Sequence, residues 1–136
     1  MMGALNYMED SHPLHEQAPI IDQAHLNRMT GGDSALMMEV LGLFREQGDI
    51  WMRLLEPTTD TLDWGNAAHT IKGSARGIGA WTLGEVCGEA EEAAREGELT
   101  RDQKRVWHDA ISNELDNVLG EIAGMEHKAM IASLRG

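Results

Sequence analysis

The sequence predicts an all-α protein, an antiparallel four-helix bundle with a short additional helix before it. The chain has 136 residues, of which 42% are hydrophobic, but it contains only one Tyr and one Phe. It is therefore poor in the residues that favour sheets. Apolar residues recur at spacings of three and four in four segments, and no segment alternates between apolar and polar residues. Four amphipathic helices joined by short connections bury their apolar faces most readily against one another.

The first two helices begin at predicted capping residues. Asp22 is placed to cap a short helix that ends at Met29. Asp33 or Ser34 then caps a long helix that runs to about Leu55. Its predicted core face consists of Met37, Val40, Leu41, Phe44, Gly48, Trp51 and Leu55.

The next two helices have equally recognisable starts. One begins near Asp60 or Thr61, and its predicted apolar positions include Leu62, Trp64, Ala68, Ile71, Ala75 and Ile78. The other follows a predicted capping box of Thr82 with Glu85 and ends at Gly97. Its predicted apolar positions are Leu83, Val86, Cys87, Ala90 and Ala94.

A second capping box, Thr100 with Gln103, opens the last helix. Its predicted core face is Trp107, Ile111, Leu115, Val118, Ile122 and Met125. Residues 1–19 show no helical period, and we expect them to form a flexible N-terminal arm. The helical domain is predicted to span residues 20–130.

Charge and composition exclude several classes of function. The net charge is −12, from 23 acidic and 11 basic residues, which disfavours nucleic acid and anionic membrane surfaces as partners. No apolar run is long enough to span a membrane, and the N-terminus does not resemble a signal peptide. Cys87 is the only cysteine, which fits a reducing cytoplasm and a buried core thiol. We expect a cytoplasmic monomer.

One ridge of the third helix is unusual for a solvated face. His69 lies about 200° around the helix from the core residue Ile71, so it is expected to point outward. Gly65 and Gly73 flank it by one turn on either side, although glycine disfavours helices. Lys72 and Arg76 share the same ridge.

This ridge is suited to phosphoryl chemistry. A neutral imidazole is a good nucleophile near pH 7, and two glycines leave room for a bulky group to reach it. Lys72 and Arg76 could balance the charge of a phosphoryl group, which phosphoryl transfer requires together with positioning. The plain alternative is an ordinary polar histidine on a helix surface. Periodicity alone leaves both interpretations open.

Residues 69–74 read HTIKGS and are followed by Ile78 and Gly79. This stretch resembles the signature of histidine-containing phosphotransfer (HPt) domains, in which His is followed by any residue, Leu or Ile, Lys, Gly, and Ser or Ala. The resemblance covers about residues 20–125. It extends to further matching positions at Gly32, Asp33, Leu41, Phe44, Leu83, Cys87 and Glu91.

The resemblance implies specific roles for several residues. His69 would be phosphorylated, Lys72 would hold the phosphoryl group, and Gly73 would leave clearance for the partner. Glu91 matches a position that is Gln in some members, so it is a candidate to orient the ring. A carboxylate there would repel the phosphoryl group unless it is turned away or bonded to the ring N–H.

The resemblance also implies a phosphorelay intermediate between a sensor histidine kinase, expected to be a hybrid kinase, or a receiver Asp, and a response-regulator receiver Asp. The chain would be a covalent carrier that hydrolyses no ATP. It would need no cofactor or metal of its own, because the receiver supplies Mg²⁺.

A candidate docking surface lies on the long second helix, where Leu36, Leu43 and Ile50 recur every seven residues. Together with Gly73 and Arg76, part of this apolar strip is expected to contact the receiver domain. The alternative is that the strip packs under the short N-terminal helix.

Three rival functions remain from the sequence. One is a non-phosphorylated helical adaptor that binds a receiver domain or sensor kinase. Another is the dimerising histidine domain of a sensor kinase, in which an acidic residue usually follows the His, whereas Thr70 stands here. The third is the phosphorylatable front end of a chemotaxis-type kinase. The pair His12 and His15 has too few potential ligands around it to indicate zinc.

Overall fold

The computed structural model describes residues 19–136, and this part of the chain forms five α-helices and no strand. The helices are α1 (Gln23–Met29), α2 (Ser34–Leu54), α3 (Thr61–Ile78), α4 (Trp81–Glu96) and α5 (Arg101–Arg135). The predicted antiparallel four-helix bundle with a short additional helix is confirmed. The predicted arm, apart from its last residue, and the pair His12 and His15 lie outside the described residues.

The apolar faces of the helices meet in one core. α3 packs mainly against α4, and α5 packs against α2 and α4. Most of the predicted core positions are buried, but the prediction for Leu62 is wrong, because this residue is 73% exposed. Thr61 and Trp64 take the inward positions of the first turn of α3, which leaves Leu62 facing outward.

Four of the predicted caps are present. The carboxylates of Asp22, Asp33 and Asp60 accept hydrogen bonds from backbone N–H groups three residues later, at 3.0, 3.0 and 2.9 Å. Thr100 and Gln103 form both bonds of a capping box, at 3.1 and 2.8 Å. These caps satisfy backbone donors that the first turn of a helix leaves unpaired.

The predicted cap of α4 is wrong. The helix begins at Trp81, its N-cap is Ala80, and no side chain caps it. Thr82 therefore lies inside the first turn. The reason is that the chain turns tightly after α3, so that the Gly84 N–H already donates to the Ala80 carbonyl oxygen at 3.0 Å.

A two-residue connection, Gly79–Ala80, joins α3 to α4. Gly79 has φ +82°, and a Cβ there would lie 2.8 Å from the carbonyl oxygen of Asp22, so glycine is required twice over. The Asp22 N–H also donates to the Gly79 carbonyl oxygen at 2.9 Å. This turn attaches the start of α1 to the hairpin of α3 and α4, in which His69 lies opposite Glu91.

Candidate functional site

His69 lies on the outer face of α3, as predicted. Its side chain is 63% exposed, whereas its neighbours Ala68 and Ile71 are fully buried. The ring is nevertheless held at one side, because its Nδ1 lies 2.8 Å from Oε2 of Glu91 on α4. An exposed but oriented imidazole is the central feature of the site.

Glu91 is the buried anchor of this arrangement, with only 8% of its side chain exposed. The Lys72 ammonium is the strongest influence lowering the pKa of the Glu91 carboxyl; burial opposes it, and the His69 contact adds to the lowering. An ionised carboxylate only accepts hydrogen bonds, so we assign the proton to Nδ1 of His69. The lone pair of the neutral ring then lies on Nε2.

Two cations complete the network around Glu91. Lys72 Nζ lies 2.5 Å from Glu91 Oε1, and Arg95 Nη2 lies 2.6 Å from Oε2. Oε1 receives no well-directed hydrogen bond, so the Lys72 contact is an ion pair. Arg95 was not predicted from the sequence, although its position four residues after Glu91 on the same helix is a signal for such a contact.

The two glycines of the ridge have different surroundings. A Cβ at Gly73 would have no neighbouring heavy atom within 4 Å, so this position opens onto free space. A Cβ at Gly65 would lie 3.0 Å from Cβ of Ala94. Gly65 therefore allows α3 and α4 to approach closely, a role that the sequence analysis did not assign. It also lines a cavity of about 130 Å³ beside His69.

Arg76 is exposed on α3, but its stem is directed along α4. A Cβ added at Gly84 would lie 3.1 Å from Cγ of Arg76, and one added at Gly88 would lie 4.0 Å from Nη2. Lys72 follows the same direction, since its Cδ lies 3.3 Å from the corresponding point at Gly88. Both cations of the predicted ridge thus rest against α4.

The apolar strip of α2 is exposed in the part of the chain that the structure describes: Leu36 by 41%, Leu43 by 55% and Ile50 by 47%. The alternative that α1 covers it is therefore wrong. A cavity of about 380 Å³ lies between α2 and α3, and Leu43 and Gly73 both line it. The remaining lining residues are Met29, Val40, Phe44, Gln47, Trp51, Ser74, Gly77 and Ile78. This groove connects the apolar strip with the ridge of His69.

Within residues 19–136, no cluster of three or more His, Cys, Asp or Glu residues could hold a metal ion. In the same range, no helix combines the length and apolar character that crossing a membrane requires. Cys87 is buried, and burial raises the pKa of its thiol to about 12. This thiol is therefore a core group and a poor nucleophile.

Comparison with known proteins agrees with this geometry. The family model of the Hpt domain matches residues 38–122. The crystal structure of histidine phosphotransferase ShpA from Caulobacter crescentus is 37% identical, with a TM-score of 0.67, and covers 85% of this chain and 99% of its own. The histidine-containing phosphotransfer protein B (HptB) from Pseudomonas aeruginosa PAO1 shares the fold at 23% identity, with a TM-score of 0.72 and coverage of 82% and 97%.

Comparison with curated proteins gave no match. The family match spans more than half of the chain and contains the whole of α3 and α4. The chain therefore belongs to the Hpt domain family and is a histidine phosphotransfer protein of a two-component phosphorelay.

Proposed function

We propose that His69 carries the phosphoryl group on Nε2, and that it exchanges this group with the Asp of a receiver domain. The observation that carries the proposal is the exposed imidazole whose Nδ1 is held by the buried carboxylate of Glu91. This contact orients the ring and leaves Nε2 as the nucleophilic nitrogen.

The transfer step exchanges one bond to phosphorus for another, and both bonds are to groups of the two proteins. The Nε2 lone pair attacks the phosphorus of the receiver's acyl phosphate, the N–P bond forms, and the P–O bond to Asp breaks, so that Asp leaves as a carboxylate. The ring becomes cationic with its proton on Nδ1, where the Glu91 carboxylate stabilises it. The reverse attack by a receiver carboxylate passes the group on.

Glu91 and Lys72 have complementary parts in this proposal. The carboxylate contacts the ring at Nδ1, which keeps its charge on the far side of the imidazole from the phosphoryl group. Lys72, one turn after His69, supplies the nearby positive charge. We propose that the receiver domain provides Mg²⁺, and that this chain acts as a monomeric carrier without a cofactor.

The docking face that we propose for the receiver is the apolar groove between α2 and α3 together with the strip of α2. Leu43 is half exposed and lines the groove, and Gly73 lines it next to the ridge of His69. Leu43→Asp should slow transfer from a phosphorylated receiver about tenfold, the effect of a moderately important interface residue. The matched control is Val106→Asp, at an apolar residue 69% exposed on α5. Equal rates for both folded variants would refute this docking face.

The phosphorylated residue is tested with radiolabelled phosphoryl donors. Wild-type protein and His69→Gln are incubated with a labelled receiver domain or an active sensor kinase. Label that is acid-labile and alkali-stable, on the wild type alone, is the expected result. Equal labelling of the variant would remove His69 from the site, and a functional His69→Ala variant in the intact relay would favour the adaptor.

A further inference from the structure

A glycine on α4, Gly88, faces the stems of two cations of α3. A Cβ at Gly88 would lie 3.3 Å from Cδ of Lys72 and 4.0 Å from Nη2 of Arg76. One turn earlier, a Cβ at Gly84 would lie 3.1 Å from Cγ of Arg76. The two glycines thus form a shallow trough on α4, occupied by aliphatic parts of Lys72 and Arg76.

The trough accounts for the unusual placement of Lys72. Only 21% of its side chain is exposed, although it belongs to the outer ridge of α3. Its stem crosses the surface of α4 at Gly88, and its ammonium reaches Oε1 of Glu91, three residues further along α4. A long, flexible side chain loses much entropy when its end is fixed, so a surface that fits the stem reduces the cost of placing the charge.

Gly88 contrasts with another helical glycine of this chain. Gly120 lies on α5, and a Cβ there would meet no heavy atom within 4 Å. Both glycines lie in helix interiors, where glycine is less favourable than alanine. Of these two glycines, Gly88 makes room for a group of the site and Gly120 does not.

We propose that Gly88 is a positioning residue for Lys72: by lacking a side chain, it lets the lysine stem lie across α4 and brings the ammonium to Glu91 beside His69. The consequence for phosphoryl transfer rests on the proposed function of His69. The placement of Lys72 itself does not.

The first test concerns the placement of Lys72 and needs no phosphoryl donor. Gly88→Ala and Gly88→Leu are compared with Gly120→Ala and Gly120→Leu, and the Glu91 carboxyl is titrated by carbon-detected NMR. Displacement of Lys72 should raise the pKa of Glu91 toward its ordinary value, more for Leu than for Ala. The Gly120 variants should leave it unchanged. A pKa of Glu91 that is unchanged in both Gly88 variants would overturn the proposal.

The second test asks whether Gly88 acts through Lys72 in the reaction. Gly88→Leu should slow transfer from a phosphorylated receiver about tenfold, as expected when one charge-assisted contact is weakened. In a Lys72→Met background it should slow transfer no further. An equal effect in both backgrounds would mean that the leucine obstructs the partner, and would overturn the positioning role.

The two tests separate the proposals. If wild-type protein accepts no phosphoryl group on His69, the proposed function fails while the titration still decides the role of Gly88. The Gly88→Ala variant keeps the test decisive if Gly88→Leu misfolds, because replacing a helical glycine by alanine favours the helix. A simple packing role for Gly88 would change thermal stability without moving the pKa of Glu91.

Discussion

The two sides of His69, one facing α4 and the other facing α2, differ in their ionic contacts, their packing and their openness. On the side of α4, the buried Glu91 binds the ring and two cations, and Gly65 packs against Ala94. On the side of α2, Gly73 opens onto free space beside an apolar groove whose lining includes the exposed Leu43. The α4 flank holds the ring, whereas the α2 flank is open.

Gly65 and Gly73 make the difference clear, because each lies four residues from His69. From the sequence they are equivalent, and both were predicted to give a partner access. In the structure a Cβ added at Gly65 would lie against Ala94 of the neighbouring helix, whereas a Cβ added at Gly73 would meet no atom of another helix within 4 Å. The same residue type therefore allows close helix packing on one flank and leaves open space on the other.

The largest expected effect comes from a change on the α2 flank. Gly73→Leu should slow phosphoryl transfer about 100-fold, because a bulky side chain there keeps the reacting groups out of alignment. Its free energy of unfolding should stay the same or rise by up to about 1 kcal/mol, since a helical glycine is replaced. Transfer kinetics and urea denaturation check the two parts. A loss of stability with normal transfer would contradict the contrast between the flanks.

The matching change on the α4 flank is Gly65→Leu. Here the new side chain would collide with Ala94 across the helix interface, so the free energy of unfolding should fall by about 1–3 kcal/mol. Urea denaturation measures this directly, with Gly73→Leu as the control. If both leucine variants are equally stable, the close approach of α3 and α4 at Gly65 is wrong.

Lowering the pH should lower the free energy of unfolding through Glu91, on the α4 flank. Its pKa is lowered in the folded protein, so its stabilising contribution is present above the ordinary glutamate value of about 4.3. That contribution is lost as the pH falls from there through the lowered folded value. The free energy of unfolding should therefore fall more steeply in this window for the wild type than for Glu91→Gln.

The control for this pH effect is Glu92→Gln, at a neighbouring side chain that is 60% exposed. This variant should retain the steep wild-type decline when unfolding is followed from about pH 5 to pH 3. Parallel curves for wild type and Glu91→Gln would contradict the assigned network.

The smallest expected effect is that of Arg95→Ala. Arg95 contacts Glu91 at 2.6 Å, but its side chain is 67% exposed, so solvent screens the pair. The free energy of unfolding should fall by less than about 1 kcal/mol, as is usual for exposed ion pairs. A loss greater than about 2 kcal/mol in urea denaturation would contradict the assignment of this contact as a solvent-screened ion pair.

Much of this site is predictable from the sequence because it depends on local pattern. His69, Lys72 and Gly73 lie within one helical stretch, so their shared ridge follows from helix geometry. The position of Glu91 could be proposed through the family resemblance. Its bond to Nδ1 answers how a carboxylate is tolerated there, which the sequence left open.

The contacts between helices were not predictable in the same way. Helical periodicity gives the buried face of α4 but not its register against α3, which decides that Gly65 meets Ala94 and Gly88 meets Lys72. The capping box predicted at Thr82 was wrong for a similar reason. The tight turn at Gly79 starts α4 earlier than the local capping signal indicates.

The central claim is that Nε2 of His69 carries the phosphoryl group while Nδ1 stays protonated against Glu91. The most direct measurement is NMR of histidine-¹⁵N-labelled protein that has received the phosphoryl group from a phosphorylated receiver domain. The His69→Gln variant is used to assign the signal. We expect phosphorus coupled to Nε2 of His69 and a proton retained on Nδ1. Phosphorus on Nδ1, or on any residue other than His69, would contradict it.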